Sequence, residues 1–129
     1  MRKKIVAANW KMNKTLQEAE TLVKSIDSGA PNNNGVTKII FPPSLFITTL
    51  FSILKNRSSF FVGAQNCYHT ENGAFTGEVS ASTIASCGAS YIIVGHSERR
   101  QYFNETAEQL KQKVTLALKN NLVPIYCVG

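Results

Sequence analysis

Short apolar runs alternate with amphipathic stretches along the whole chain, and this alternation constrains the fold more than any other feature of the sequence. The runs are continuous, without the polar residue at every second position that a strand with one solvated face shows. Continuous apolar strands are typical of parallel sheets that are covered on both faces. We predict five strands, at residues 4–10, 36–41, 59–64, 90–95 and 122–128.

Helical patterns with defined starting signals lie between these runs. Thr15, followed three residues later by Glu18, forms a capping box ahead of one apolar stripe. Thr106 and Gln109 form a second box ahead of another stripe. The remaining predicted elements are helices at residues 44–56 and 80–88, the second with Gly88 as its C-cap, and a turn at residues 31–35.

A strand–helix order of this kind implies a parallel sheet with right-handed helical crossovers, either an open doubly wound sheet or a closed barrel. Barrel enzymes collect their site from the carboxyl ends of several strands, whereas an open sheet concentrates it at one switch point, often with a Gly-rich phosphate loop. The chain has no such loop. Polar side chains instead follow the first, third and fourth strands: Asn9, Lys11, Gln65, Asn66 and His96. This distribution favours a parallel (β/α)8 barrel.

The net charge of +6 is compatible with an anionic partner such as nucleic acid or a phosphorylated metabolite. The basic residues are scattered, and no cluster of them is interleaved with aromatic residues as in a nucleic-acid-binding patch. We therefore expect a solvated basic surface and no nucleic-acid partner.

The sequence gives no sign of secretion or membrane insertion. Basic residues 2–4 precede an apolar run, 5–8, that is too short for a signal peptide, and no run approaches the roughly 20 apolar residues of a membrane span. The cysteines, Cys67, Cys87 and Cys127, are odd in number and form no C-x-x-C pair. We expect reduced thiols, no metal site and a cytoplasmic protein with no membrane partner.

His96 lies where the fourth predicted strand ends, and we expect a short helical turn to begin at Ser97. The positive end of that turn disfavours a protonated imidazole beside it. A neutral imidazole can donate an N–H to a substrate carbonyl. The alternative is a structural histidine that is hydrogen-bonded to nearby backbone.

Asn9 and Lys11 are two residues apart at the end of the first predicted strand, so we expect them to share one face. An amide and an ammonium on one face suit an oxyanion or a phosphate. The alternative is a surface lysine beside a turn asparagine.

A long loop runs from Gly63 to Ser80 and carries the apolar Phe75 near its tip. Long loops in compact domains are often functional, and an exposed apolar tip suits docking into a partner chain. An ordinary surface loop is the alternative.

Three segments in this order resemble the triosephosphate isomerase family, and the resemblance extends over residues 4–129. They are the first-strand motif ANWKMN at residues 8–13, the loop motif AFTGE at residues 74–78 and the motif GHSERR at residues 95–100. Each motif alone is weak, but three in register are specific.

The resemblance implies a TIM barrel that interconverts dihydroxyacetone phosphate and glyceraldehyde 3-phosphate in glycolysis and gluconeogenesis, without a metal or organic cofactor. It implies that Asn9 and Lys11 polarise and stabilise charge, and that Lys11 attracts the phosphate. His96 would be the neutral electrophile, for which this family is itself the established example. Glu98 and Ser97 would support the site.

The resemblance also implies a homodimer, with Phe75, Thr76 and Gln65 at the interface between subunits. The family's general base is a glutamate after the sixth strand, together with a closing lid, and we expect both to lie beyond Gly129. A full barrel takes about 250 residues. We therefore expect residues 1–129 to be the N-terminal half of one barrel domain, comprising about four βα units and strand five, which is inactive alone.

Two alternatives remain at this point. One is a non-catalytic half-barrel, either a fragment or a truncated product that needs its missing half. The other is a different sugar-phosphate barrel enzyme, against which the register of the three motifs argues.

Overall fold

The computed structural model describes residues 2–31 and 35–129, so the predicted turn at residues 31–35 lies largely outside the described residues. The strands are β1 Lys4–Asn9, β2 Val36–Phe41, β3 Phe60–Ala64, β4 Tyr91–Val94 and β5 Val123–Tyr126. The α-helices are α1 Leu16–Gly29, α2 Ile47–Leu54, α3 Ala81–Ser86, α4 Ser97–Tyr102 and α5 Ala107–Lys119, with a 3₁₀ turn at Ser44–Phe46. All five predicted strands and all predicted helices are present.

The five strands form one parallel sheet in the order β1-β2-β3-β4-β5. Each strand pairs with its neighbour in sequence: Ala8 lies opposite Ile40, and Ile92 lies opposite Pro124. A doubly wound sheet reverses its strand order at a switch point, and this sheet does not. The continuous order is that of a barrel wall.

Both predicted capping boxes are present at the starts of the long helices. The Thr15 hydroxyl accepts from the Glu18 N–H at 3.4 Å, and the Glu18 carboxylate accepts the Thr15 N–H at 2.7 Å. That backbone N–H lowers the pKa of Glu18 from its ordinary value of 4.5. The Thr106–Gln109 box begins α5 in the same way. Each box supplies partners to backbone N–H groups that the helix leaves unpaired.

The glycine predicted to end a helix does so. α3 ends at Ser86, and Gly88 then takes a φ of +98°, which is strained for residues other than glycine. A β carbon at Gly88 would lie 2.4 Å from Cγ of Phe51, so the backbone also needs the space.

The core lies on both faces of the central strands. One cluster joins alternate strand residues to the helices, and its fully buried members include Val23, Leu50, Val62, Ile84, Ile92 and Leu110. A smaller cluster on the opposite face contains Ile39, Phe41, Tyr91 and Ile93. Burial on both faces explains the continuous apolar runs of β2, β3 and β4.

β1 does not follow the predicted burial on both faces. Ile5 is 45% exposed and Val6 is 61% exposed, although both belong to an apolar run. The reason is position: β1 and β5 are the two edges of the sheet, and β1 pairs only with β2 among the described strands. Both-face burial was therefore a wrong expectation for this strand.

A buried ionic cluster joins α4, α5, the segment between them and Asn66 of the loop after β3. The sequence patterns did not indicate it. Lys113 donates to Asn66 Oδ1 at 2.8 Å and to the Glu105 carboxylate. Arg99 Nε lies 3.4 Å from Glu105 Oε2. The Lys113 and Glu105 side chains are almost completely buried, so removal of one charge leaves the others without solvent compensation.

We predict that Glu105→Gln lowers the free energy of unfolding by about 3–5 kcal/mol, because Lys113 and Arg99 lose their buried counter-charge. Urea denaturation measures the change. The matched control is Glu71→Gln, which breaks an exposed pair with Lys119 and should cost less than about 1 kcal/mol. Equal small losses in both variants would contradict the prediction.

Candidate functional site

Glu98 joins the two predicted motifs at the carboxyl edge of the sheet. Lys11, which follows β1, donates from Nζ to Glu98 Oε1 at 2.6 Å. The second carboxylate oxygen, Oε2, lies 3.6 Å from Nδ1 of His96, which follows β4. The structure therefore brings Lys11, Glu98 and His96 together, although Lys11 and His96 are 85 positions apart in the sequence.

His96 is the N-cap of α4, which begins at Ser97 as predicted. Its Nδ1 accepts the backbone N–H of Glu98 at 3.2 Å. A nitrogen that accepts cannot carry a proton, so in the neutral ring the proton lies on Nε2. Within residues 2–31 and 35–129, Nε2 has no hydrogen-bond partner, which leaves it available as a donor. His96 thus has the backbone hydrogen bond expected of a structural histidine, at Nδ1. It also has the available donor expected of an electrophile, at Nε2.

Lys11 does not continue the strand, contrary to the expected sharing of one strand face with Asn9. β1 ends at Asn9, and Lys11 takes a left-handed φ of 53°, a conformation that costs energy in residues other than glycine. Asn9 Oδ1 accepts the Lys11 N–H at 2.9 Å. Asn9 and Lys11 therefore lie close together because the chain turns after Asn9, not because they lie on the same face of a strand.

Gln65 supports the same turn from β3. Its Nε2 donates to the Lys11 carbonyl at 2.9 Å and to the Phe41 carbonyl at 2.8 Å. These bonds link the carboxyl ends of β1, β2 and β3. The interface role that the family resemblance implies for Gln65 stays a prediction, and its contact with Lys11 had no local sequence signal.

The loop after β3 has no helix or strand between Ala64 and Ala81 and packs against itself. The Tyr68 N–H donates to the Val79 carbonyl at 2.9 Å and closes the base of the loop. The ring centroids of Tyr68 and Phe75 are 4.7 Å apart. Phe75 is consequently only 40% exposed, less than expected for a free apolar tip, while Thr76 beside it is exposed.

The hydrogen bond from Lys11 lowers the pKa of the Glu98 carboxyl below its ordinary value of 4.5, with further help from the charge of the same lysine. Glu98 therefore keeps its negative charge to a lower pH than an ordinary glutamate does. Both side chains are about half exposed, so an anionic ligand can reach Lys11 in exchange for Glu98. Ser97 is exposed at the first position of α4.

An open cleft of about 880 Å³ lies beside His96. It is lined by the beginning of α4 and the end of β5, including Gly95, His96, Arg100, Tyr126 and Cys127. Among the described residues, no group of three or more His, Cys, Asp or Glu side chains could hold a metal ion. None of the described helices has the length and apolar content needed to cross a membrane.

The sequence pattern that describes the triosephosphate isomerase family matches residues 4–129. The chain belongs to the triosephosphate isomerase family. The resemblance carried by residues 8–13, 74–78 and 95–100 is thereby confirmed, and the barrel fold is confirmed with it.

Relatives and a solved structure of the family cover the chain from end to end. The chain is 50% identical over 129 residues to triosephosphate isomerase of Bacteroides fragilis and 48% identical over 130 residues to that of Phocaeicola vulgatus. The crystal structure of triosephosphate isomerase from Bartonella henselae superposes with a TM-score of 0.85 at 33% identity, over 99% of this chain and 52% of that one. The chain spans about half the length, 51%, of the curated relatives it matches.

We predict that Glu98 titrates below 4.5 and that Lys11→Met returns its midpoint toward that value, because the largest cause of the shift is lost. The Cδ resonance of Glu98 in carbon-13 NMR measures this. The pKa of Glu98 is lower in the folded state than in the unfolded state. The Lys11–Glu98 pair therefore stabilises the fold fully at pH values above the unfolded-state pKa. This stabilisation is lost as the pH falls through the folded-state pKa.

Glu18 is the internal control, because the Thr15 N–H and not Lys11 lowers its pKa. Its midpoint should stay unchanged in Lys11→Met. An unchanged Glu98 midpoint in the same variant would show that Lys11 does not hold the carboxylate.

Proposed function

We propose that the protein containing this chain is a triose-phosphate isomerase that interconverts dihydroxyacetone phosphate and D-glyceraldehyde 3-phosphate through an enediolate. The observation that carries the proposal is the meeting of Lys11, Glu98 and His96 at the carboxyl edge of a parallel sheet, the edge at which barrel enzymes build their sites. Membership of the family supports the substrate class.

Each site group has a defined task in this proposal. The Lys11 ammonium binds the substrate phosphate and stabilises negative charge, because charge-assisted bonds to phosphate are strong. His96 donates its Nε2–H to the carbonyl oxygen and then to the enediolate oxygens, an electrostatic stabilisation of developing charge. Asn9 holds the turn that presents Lys11, and Glu98 keeps the ammonium directed while no ligand is bound.

Proton abstraction next to a carbonyl also requires a general base. In this proposal the base is the glutamate that the family resemblance places after the sixth strand, outside residues 1–129. The residues described here then form the electrophilic side of the site. This division leads us to propose that the 129-residue chain alone has no isomerase activity.

The exposed strand β1 supports a second proposal for the isolated chain. In it, the chain is a non-catalytic half-barrel that associates with other chains. Unpaired strand edges are templates for further pairing. Sedimentation shows whether the 129-residue chain is a monomer or an assembly, and an isomerase assay of the same sample measures its activity. A monomer with clear isomerase activity would contradict both the association and the inactivity.

We propose a homodimer for the full-length protein. Large apolar side chains are exposed on the segments that follow the first four strands: Met12, Leu45, Phe75, Tyr102 and Phe103. The segments after parallel strands lie at the same edge of the sheet, and exposed apolar surface at one edge supports an interface with a second copy. Phe75, Thr76 and Gln65 remain the proposed contacts from the long loop.

We propose a cytoplasmic location, which the three free thiols, Cys67, Cys87 and Cys127, support. Reducing compartments keep cysteines unpaired, whereas secreted proteins use them in disulfides. Fractionation of the source cells tests the location, and recovery of the protein outside the cytoplasm would reject it.

We predict that His96→Gln in the full-length protein lowers kcat on the order of 10²–10³-fold, the cost of removing a donor to a developing oxyanion. Lys11→Met should raise KM as well as lower kcat, since it removes the partner of the phosphate. Both constants come from a coupled assay with glyceraldehyde 3-phosphate.

Lys24→Met is the matched control, because Lys24 is also an exposed lysine paired with a glutamate, Glu20. Its kinetic constants should equal those of the unmodified protein. The absence of isomerase turnover in the unmodified full-length protein would reject the proposed function, and unchanged turnover in His96→Gln would reject the role of His96.

A further inference from the structure

The side chain of Arg100 returns from α4 to the exits of two neighbouring strands. Its Nε–H donates to the Gly95 carbonyl, and an Nη2–H donates to the Cys127 carbonyl, each at 2.8 Å. Gly95 directly follows β4, and Cys127 directly follows β5. One guanidinium therefore joins the carboxyl ends of both strands.

The Gly95 carbonyl belongs to the same peptide unit as the backbone nitrogen of His96. Because that unit is planar, an interaction that fixes the carbonyl also fixes the direction in which the His96 backbone begins. Gly95 has a φ of +77°, and a β carbon at this position would lie 2.8 Å from Nη2 of Arg100. The left-handed turn thus requires glycine immediately before His96, and the guanidinium occupies the space that a side chain there would need.

The two bonds use a property that arginine has and lysine lacks. The guanidinium presents several N–H donors in a rigid planar fork, whereas an ammonium is a single flexible point charge. The Arg100 Cζ also lies 5.7 Å from the Tyr126 ring centroid, within the range of a cation–π contact. These contacts define one position for the side chain.

We propose that Arg100 is a positioning residue that fixes the Gly95–His96 peptide unit and, through it, the imidazole of His96. The inference rests on the proposed role of His96. The His96 side chain is bonded through Nδ1 to the Glu98 N–H at 3.2 Å. Rotation of the preceding peptide would break that alignment and turn Nε2 away from the substrate oxygen, without any loss of the Lys11 contact that binds phosphate.

The test uses the full-length protein with Arg100→Lys and Arg100→Ala. We expect kcat to fall between about 10- and 100-fold, the range for misplacement of a catalytic group by about 1 Å. KM should stay within about two-fold, because phosphate binding is retained. Added guanidinium ion, well below denaturing concentrations, should restore part of kcat in Arg100→Ala, and sodium chloride at equal ionic strength should not.

Nitrogen-15 NMR of the His96 ring gives a readout that does not need turnover. The unmodified protein should show the form protonated on Nε2, and Arg100→Lys should show a mixture with the form protonated on Nδ1. Lys111→Met is the control for Arg100→Ala, because Lys111 is exposed on α5 and both replacements remove one positive charge. It should change neither kcat nor the His96 spectrum.

An Arg100→Lys variant with kcat within about two-fold of the unmodified protein would overturn the inference. So would a loss of kcat with an unchanged His96 spectrum and no rescue by guanidinium, which would mark a purely structural arginine. If Arg100→Ala does not fold, Arg100→Lys decides. If the unmodified protein lacks isomerase activity, the proposed function fails, while the ring spectrum still decides whether Arg100 positions His96.

Discussion

Parallel pairing in sequence order determines what the rest of this chain can do. Because every strand runs in the same direction, each connection must cross back over the sheet, and a helix is the usual way to do so. The same constraint puts all five carboxyl ends at one edge, so residues far apart in sequence meet there. Lys11 and Glu98 are 87 positions apart and form a 2.6 Å hydrogen bond at that edge.

Features encoded over a few residues were predictable from the sequence. The capping boxes at Thr15 and Thr106 fixed the starts of two helices, because a side chain and a backbone N–H three residues apart need no distant partner. Gly88 fixed the end of a third through its left-handed φ. The positions of the motif residues were predictable in the same sense, since each of them follows a predicted strand.

Features that depend on distant partners were not predictable. Lys113 occupies a buried position within the apolar stripe of α5, between Leu110 and Ala117. A charge can lie there because its partners, Glu105 and Asn66, come from other segments. β1 reads as a strand buried on both faces, yet its place at the sheet edge exposes Val6. The burial of a strand depends on the strands and helices that pack against it. A run of apolar residues predicts the strand but not the elements beside it.

Two candidate site residues are held through their backbone as well as through their side chains. Gln65 donates to the carbonyl of Lys11, and Arg100 donates to the carbonyl that precedes His96. In each case a side chain from another element fixes a left-handed turn, at Lys11 itself and at Gly95. The Nε2–H of His96 thereby stays without a partner among the described residues and available to a ligand, whereas the ammonium of Lys11 is held by Glu98 until a ligand displaces it. The left-handed φ of Lys11 is strained and persists only because tertiary contacts hold it, so the geometry of the candidate site depends on the folded sheet and not on its motifs alone.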